Sequence, residues 1–266
     1  SPAQGHGGRT MVQRIESREN AATTPAEHDA AADLARGAGA MLLELRSQSQ
    51  HGLRALSDEG DRRSHELLMD GLASQFPHDP VRSEEGSDSP GAERLWVIDP
   101  LDGSREYGEG REDWAVHVAL AIGGRPAIGA IALPARGELF ATADPPPLAR
   151  AASVPRMVVS RSRSPAVAAD VADRLGATTV FMGSAGAKIA AVIRGDAEIY
   201  VHAGGQYEWD SAAPVAVALS SGLHASRLDG SPLRYGLPDP WLPDLVVCHP
   251  SLAGRALAAL ADGIAS

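Results

Sequence analysis

A chain of 266 residues is long enough for one large domain or two layered halves with sizeable cores, and 44% apolar against 22% charged residues sorts it with folded rather than disordered chains. A net charge of −10 speaks against a nucleic-acid polymer as partner, which needs clustered Lys and Arg, but not against a small anion whose charge a bound cation offsets. The single cysteine, Cys248, excludes an intrachain disulfide and fits a reducing, cytoplasmic setting. No apolar run approaches the roughly 20 residues of a membrane helix, and no signal-peptide core is visible.

Residues 1–24 are rich in Gly, Ser, Thr and Gln without a sustained period, and read as a disordered tail or cloning remnant, with Met11 a candidate native start. Thr24-Pro25 predicts a helix start, a cap followed by proline and acids, and Leu34, Ala38, Met41, Leu42 and Leu45 keep helical spacing. A second helix is expected over about 60–75, with Leu67, Leu68, Met69 and Leu72 as its core stripe and Pro77 closing it. Asp61 then falls in its first turn, where an acid suits the helix dipole. Glu84-Glu85 reads on its own as a polar loop. Two strands ending at one sheet edge would nevertheless set Glu84 against Asp99, 15 residues on.

Trp96, Val97 and Ile98 suit a buried strand that Pro100 ends, delivering Asp99 to its C-terminal edge with Asp102 one turn later. Two carboxylates so close push a proton onto one of them unless a cation neutralises both, which points to a hard metal on oxygen ligands, Mg²⁺ more readily than zinc. Gly103 and Ser104 bring backbone N–H groups to the next helix start, where an anion binds well. The plain alternative is a solvated turn, since Asp-Gly is a common turn dipeptide. A calcium-binding helix-loop-helix fails on spacing, with Ser104 and Gly110 where glycine and an acid are needed. An aspartyl-nucleophile motif fails at Leu101.

Residues 113–122 alternate as a strand with Val116, Val118, Leu120 and Ile122 on one face. Gly123-Gly124 makes a hairpin turn, 127–133 returns, and 138–141 pairs again. The proline-rich stretch 143–155 is the expected boundary between an N-terminal half, 25–142, and a C-terminal half, 156–266. The second half alternates strand and helix over 157–160, 165–175, 178–181, 185–193 and 197–201, which implies a mainly parallel sheet. Gly183-Ser184 at a helix start, with Lys188 one turn in, either holds an anion or is a capped helix with an exposed lysine. Asp210 is by itself a good N-cap for an Ala-rich helix. Cys248, after Leu245-Val246-Val247, reads as a buried strand residue.

Asp99-Pro100-Leu101-Asp102-Gly103-Ser104 and Trp209-Asp210-Ser211-Ala212-Ala213 resemble the two signatures of the inositol monophosphatase superfamily, lithium-sensitive Mg²⁺-dependent phosphomonoesterases. Arg105-Glu106-Tyr107 and the element from Gly183-Ser184 to Lys188 resemble its CysQ-type branch, which hydrolyses 3′-phosphoadenosine 5′-phosphate (PAP) in sulfur assimilation. Asp229 to Tyr235 is similar to a Gly-x-Pro-Leu-x-Tyr segment of the family. Ser104 stands for the usual threonine and Pro214 for a usual glycine.

The resemblance implies a layered αβαβα sandwich, an α+β half followed by an α/β half. It implies two or three Mg²⁺ ions per site, one held by Glu84, Asp99 and the Leu101 carbonyl, with Asp99 bridging to another on Asp102 and Asp210. Asp61 and Ser104, with Glu84, would activate the attacking water. Leu101, Asp102, Gly103, Ser104, Ser184, Lys188, Asp210 and Tyr235 would bind substrate, Lys188 as an anchor for a second phosphate away from the metals and Tyr235 as a face for adenine. The expected partner is a small phosphorylated substrate, PAP or its sulfated relative, with a homodimer left open. The same scaffold also serves inositol phosphate and fructose 1,6-bisphosphate, while a non-catalytic binding protein would have no use for Asp61 and Ser104.

Overall fold

The computed structural model describes residues 23–49, 52–86, 91–162 and 166–264; the expected N-terminal tail lies, but for its last two residues, outside them. Helix α1 (Pro25–Gln48) starts as the sequence suggests: the Glu27 N–H donates to Thr24 Oγ1 (3.3 Å) and the Thr24 N–H to Glu27 Oε2 (2.7 Å), satisfying two donors that a helix start leaves unpaired. Helix α2 runs Leu53–Gln75, seven residues longer at its start than expected. Gly60 looked like a boundary but is interior, and its glycine serves packing: a Cβ there would lie 3.0 Å from the ring of Tyr107. Asp61 therefore lies two turns inside the helix, not in its first turn.

The first sheet has the order β1-β2-β3-β4-β5, formed by Val81–Ser83, Arg94–Asp102, Ala115–Ile122, Arg125–Leu133 and Glu138–Ala141. Only the β1–β2 pair is parallel. Pro100 does not end β2. The strand continues to Asp102 through a bulge, Asp99 facing His117 and Asp102 facing Ala115, and a proline in a bulge gives up no regular ladder bond. Short helix α3 (Ser104–Gly108) follows at once.

The second sheet has the order β7-β6-β8-β10-β9, from Thr178–Met182, Arg156–Ser160, Ile199–Tyr207, Trp241–Cys248 and His224–Ser226. It is mixed rather than mainly parallel: β7, β6 and β8 are parallel, but β10 and β9 add antiparallel pairs. Strand β8 also runs on to Tyr207 because β10 pairs with it along its length. Cys248 closes β10, buried, with burial pushing its thiol up to about 12. Residues 145–155 carry no helix or strand.

Five layers result. Helices α1 and α2 cover one face of the first sheet, meeting Trp96, Ile98, Val116, Val118 and Leu120. The other face, with Leu95, Val97, Ala115 and Ala119, packs on α5 (Ala185–Arg194) and α6 (Glu208–Ser220), which also meet Val158, Tyr200, Leu245 and Val247 of the second sheet. Helices α4 (Ala166–Leu175) and α7 (Ala253–Ile264) cover that sheet's outer face. Both central helices are apolar nearly all round, as helices enclosed on two sides must be. Small residues let α6 approach closely: a Cβ on Gly129 would lie 2.4 Å from the Ala213 carbonyl oxygen. Among the described residues no helix is long and apolar enough to cross a membrane.

Candidate active site

The parallel register Ser83↔Ile98 brings Glu84, the residue just after β1, to the side of Asp99. The bulge in β2 lets both Asp99 and Asp102 turn toward the start of α6, where Asp210 occupies the first turn. Asp210 is three residues into that helix, not its cap, and accepts the Tyr207 N–H at 2.8 Å. One carboxylate oxygen from each of Asp99, Asp102 and Asp210 lies within 4.8 Å of the others. Burial first, then the charges of Asp102, Asp210, Glu84 and Asp61, holds the Asp99 carboxyl well above the usual carboxylate range. Burial and Asp102 push Asp210 up to about 7, and burial with Glu85 and Asp102 raises Glu84.

Asp61 reaches the site from α2. On one stripe of that helix, Ser57 Oγ donates to the Ser104 carbonyl (2.7 Å) and Ser64 Oγ to the Pro100 carbonyl (2.7 Å), with Asp61 between them at helical spacing. Two hydrogen bonds thus fasten α2 over the 99–104 segment. Asp61 Oδ1 is buried without a hydrogen-bond partner, and burial followed by the charges of Glu84, Glu85 and Asp58 pushes its carboxyl up to about 7. An orphaned carboxylate oxygen beside three converging carboxylates is the donor set of a hard divalent cation, and the residues present fit one.

Asp102 is tied to the second half. Its Oδ2 accepts the Ser184 hydroxyl and the Gly186 N–H (2.7 Å), and lies 3.4 Å from His117 Nε2. His117 Nδ1–H donates to the Trp209 carbonyl at 3.0 Å, which leaves Nε2 beside Asp102 buried and without a hydrogen-bond partner. Ser184 also accepts the Ala187 N–H (3.1 Å); its hydroxyl is engaged within the protein rather than turned to a ligand. Gly103 is left-handed at φ 83°, and a Cβ there would meet Ser184 Cβ at 3.1 Å, so only glycine suits this turn.

Two expectations about substrate contacts need correction. Tyr235 is 2% exposed and its hydroxyl pairs with Ser211 Oγ at 2.9 Å; it belongs to the core and offers no face to a base. Lys188 is neither exposed nor remote. It is buried with its ammonium 5.4 Å from the centre of the Tyr200 ring, and burial lowers its pKa against the pull of Asp102, Glu106, Asp113 and Asp210. It faces the carboxylates as their counter-charge. Sequence reasoning also passed over His117, although a lone histidine in the apolar run Ala115 to Ile122 was the available signal. Arg82 escaped notice too: it makes a buried ion pair with Glu208 (2.7 Å), joining β1 to α6.

The profile of the Inositol monophosphatase family matches residues 24–264. The chain is 47% identical to the 3′-phosphoadenosine 5′-phosphate phosphatase of Mycobacterium leprae, over 84% of this chain and 89% of that protein. It is 33% identical to the 3′(2′),5′-bisphosphate nucleotidase CysQ of Escherichia coli, over 66% of this chain and 77% of that one. Its fold matches the crystal structure of CysQ from Bacteroides thetaiotaomicron with a TM-score of 0.75 at 26% identity, covering 85% of this chain and 97% of the other.

Proposed function

The chain belongs to the inositol monophosphatase family, and from that premise we propose that it hydrolyses the 3′-phosphate of PAP to give AMP and inorganic phosphate. The observation that carries this reading is the 47% identity, across most of both chains, to a protein of that activity. Supporting it is the convergence of Asp99 and Asp102 from a strand of the first sheet and Asp210 from a helix of the next layer onto one point.

Glu84, Asp99, the Leu101 carbonyl, Asp102 and Asp210 would hold two or three Mg²⁺ ions. Bound there, Mg²⁺ supplies charge neutralisation toward the phosphate oxygens and Lewis acidity. Asp61 Oδ1 takes the proton of the attacking water. That oxygen is buried with no other hydrogen-bond partner, so it is free to accept the proton. Ser104 orients the water, its backbone held by Ser57. Ser184 and the Gly186 N–H keep the Asp102 carboxylate aimed, and Lys188 lessens the repulsion between the acidic cluster and an incoming phosphate. No side chain serves as a covalent nucleophile in this scheme; positioning and charge carry the displacement.

Phosphate release from PAP, inositol 1-phosphate and fructose 1,6-bisphosphate, each with and without Mg²⁺, tests the reading. PAP is expected to be the preferred substrate and its turnover to require Mg²⁺. A higher kcat/KM for inositol 1-phosphate would overturn the assignment. Asp99→Asn is expected to remove Mg²⁺-dependent turnover while leaving the circular dichroism of the fold intact.

A further inference from the structure

With Tyr235 in the core, the adenine of PAP needs another surface. We propose that Tyr207 and Trp241 form it, an aromatic platform for the base at the lip of the carboxylate cluster; the proposal rests on the phosphatase reading above.

Tyr207 and Trp241 face each other directly across the antiparallel β8–β10 ladder, so their side chains emerge on the same face of the sheet end. The rings meet edge to face, centroids 5.4 Å apart at 79°, and Tyr207 stacks on Trp209 at 4.8 Å and 10°. Trp241 is held from below by the backbone of Gly205: a Cβ there would lie 1.7 Å from the indole, and the glycine has φ 91°. Despite this support, Tyr207 and Trp241 remain 44% and 43% exposed. Large rings fixed in place and left in water lose little freedom when a flat ligand covers them.

Their position relative to the chemistry is fixed by one bond. The Tyr207 N–H donates to the Asp210 carboxylate at 2.8 Å, so the backbone of one platform residue is bonded directly to an acid of the cluster. A nucleotide with its 3′-phosphate at Asp99, Asp102 and Asp210 carries its base one ribose away from that phosphate. Stacking is also a mode of recognition that the acidic surroundings do not oppose, because the base is uncharged.

The test compares PAP with ribose 3,5-bisphosphate, which has both phosphates and no base, on the full chain with Mg²⁺. Trp241→Ala is expected to lower the ratio of the two kcat/KM values about tenfold, through KM for PAP, and Trp241→Phe to restore most of it. Tyr207→Ala should lower the same ratio, which covers the case of a poorly folding Trp241 variant. An unmoved ratio, equal losses on both substrates, or a ratio that Trp241→Phe leaves low would overturn the platform and leave the phosphatase reading standing. If the unaltered chain releases no phosphate from PAP, the phosphatase reading fails, and titration with AMP and ribose 5-phosphate still decides the platform. Tighter binding of AMP that is lost in Trp241→Ala upholds it; equal binding of the two ends it.

Discussion

Between about pH 4 and pH 7 the unfolded chain gives up the protons of Asp61 and Asp210 before the folded chain does, because both carboxyls sit near 7 in the fold and near 3.8 outside it. In chelator these residues therefore make the protein less stable as pH rises through that window, and the loss levels off above it. Urea midpoints should show this slope, and excess Mg²⁺ should raise the midpoint more at about pH 8 than at about pH 5, since the cation competes with those protons. A Mg²⁺ effect equal at both values would contradict the placement of the ion among these acids. Lys188 gives a second expectation. Being buried against Asp102 and Asp210, it should matter to every phosphoester: Lys188→Ala is expected to reduce kcat/KM for PAP and inositol 1-phosphate alike, by roughly one to two decades. Loss on PAP alone would return it to the role of an anchor for the second phosphate. Asp99, Asp102 and Asp210 were legible from the chain because each stands in a short signature whose local geometry is self-contained. Tyr235 and Lys188 were misjudged because their burial is decided by segments far away in sequence.

At the scale of elements, the start of α5 is the tightest joint. A Cβ on Gly186 would come within 2.0 Å of His117 Nε2 and 3.0 Å of Asp102 Oδ2, and the imidazole has no room to retreat because its other nitrogen is bonded to the Trp209 carbonyl. Gly186→Ala should lower the stability by about 1–3 kcal/mol and depress Mg²⁺-dependent turnover disproportionately, because the Gly186 N–H is one of the donors that aim Asp102. A thermal melt beside an activity assay checks both; loss of stability with turnover intact would mean that the Gly186 N–H does not position Asp102. Element types were mostly readable from hydrophobic spacing and caps, as at Thr24 and the Gly123-Gly124 hairpin. The failures have particular causes: Gly60 serves packing against the Tyr107 ring, Pro100 is absorbed in a bulge, and the direction of β10 is set by its partner β8 rather than by its own residues.

Across the whole molecule, one buried ion pair bridges the layers that carry the acids. Arg82 adjoins the Ser83-Glu84 end of β1, and Glu208, two residues before Asp210, also accepts the N–H groups of Gly236 (2.9 Å) and Leu237 (3.1 Å). Arg82→Met would leave a buried carboxylate without its cation and is expected to cost about 3–5 kcal/mol in urea unfolding; a change below about 1 kcal/mol would show that the two backbone donors suffice for Glu208. The αβαβα layering could be anticipated from the resemblance, whereas this pair could not, since nothing local marks Arg82 as the partner of a residue so far along the chain. The position of α6 between the sheets has a further consequence in time. Asp99 and Asp102 leave the ribosome roughly a hundred residues ahead of Asp210, an interval on the order of 5–20 s at ordinary translation speeds. Throughout it the early acids lack the helix that carries Asp210, so on a nascent chain the three-carboxylate cluster is incomplete until α6 has emerged and docked.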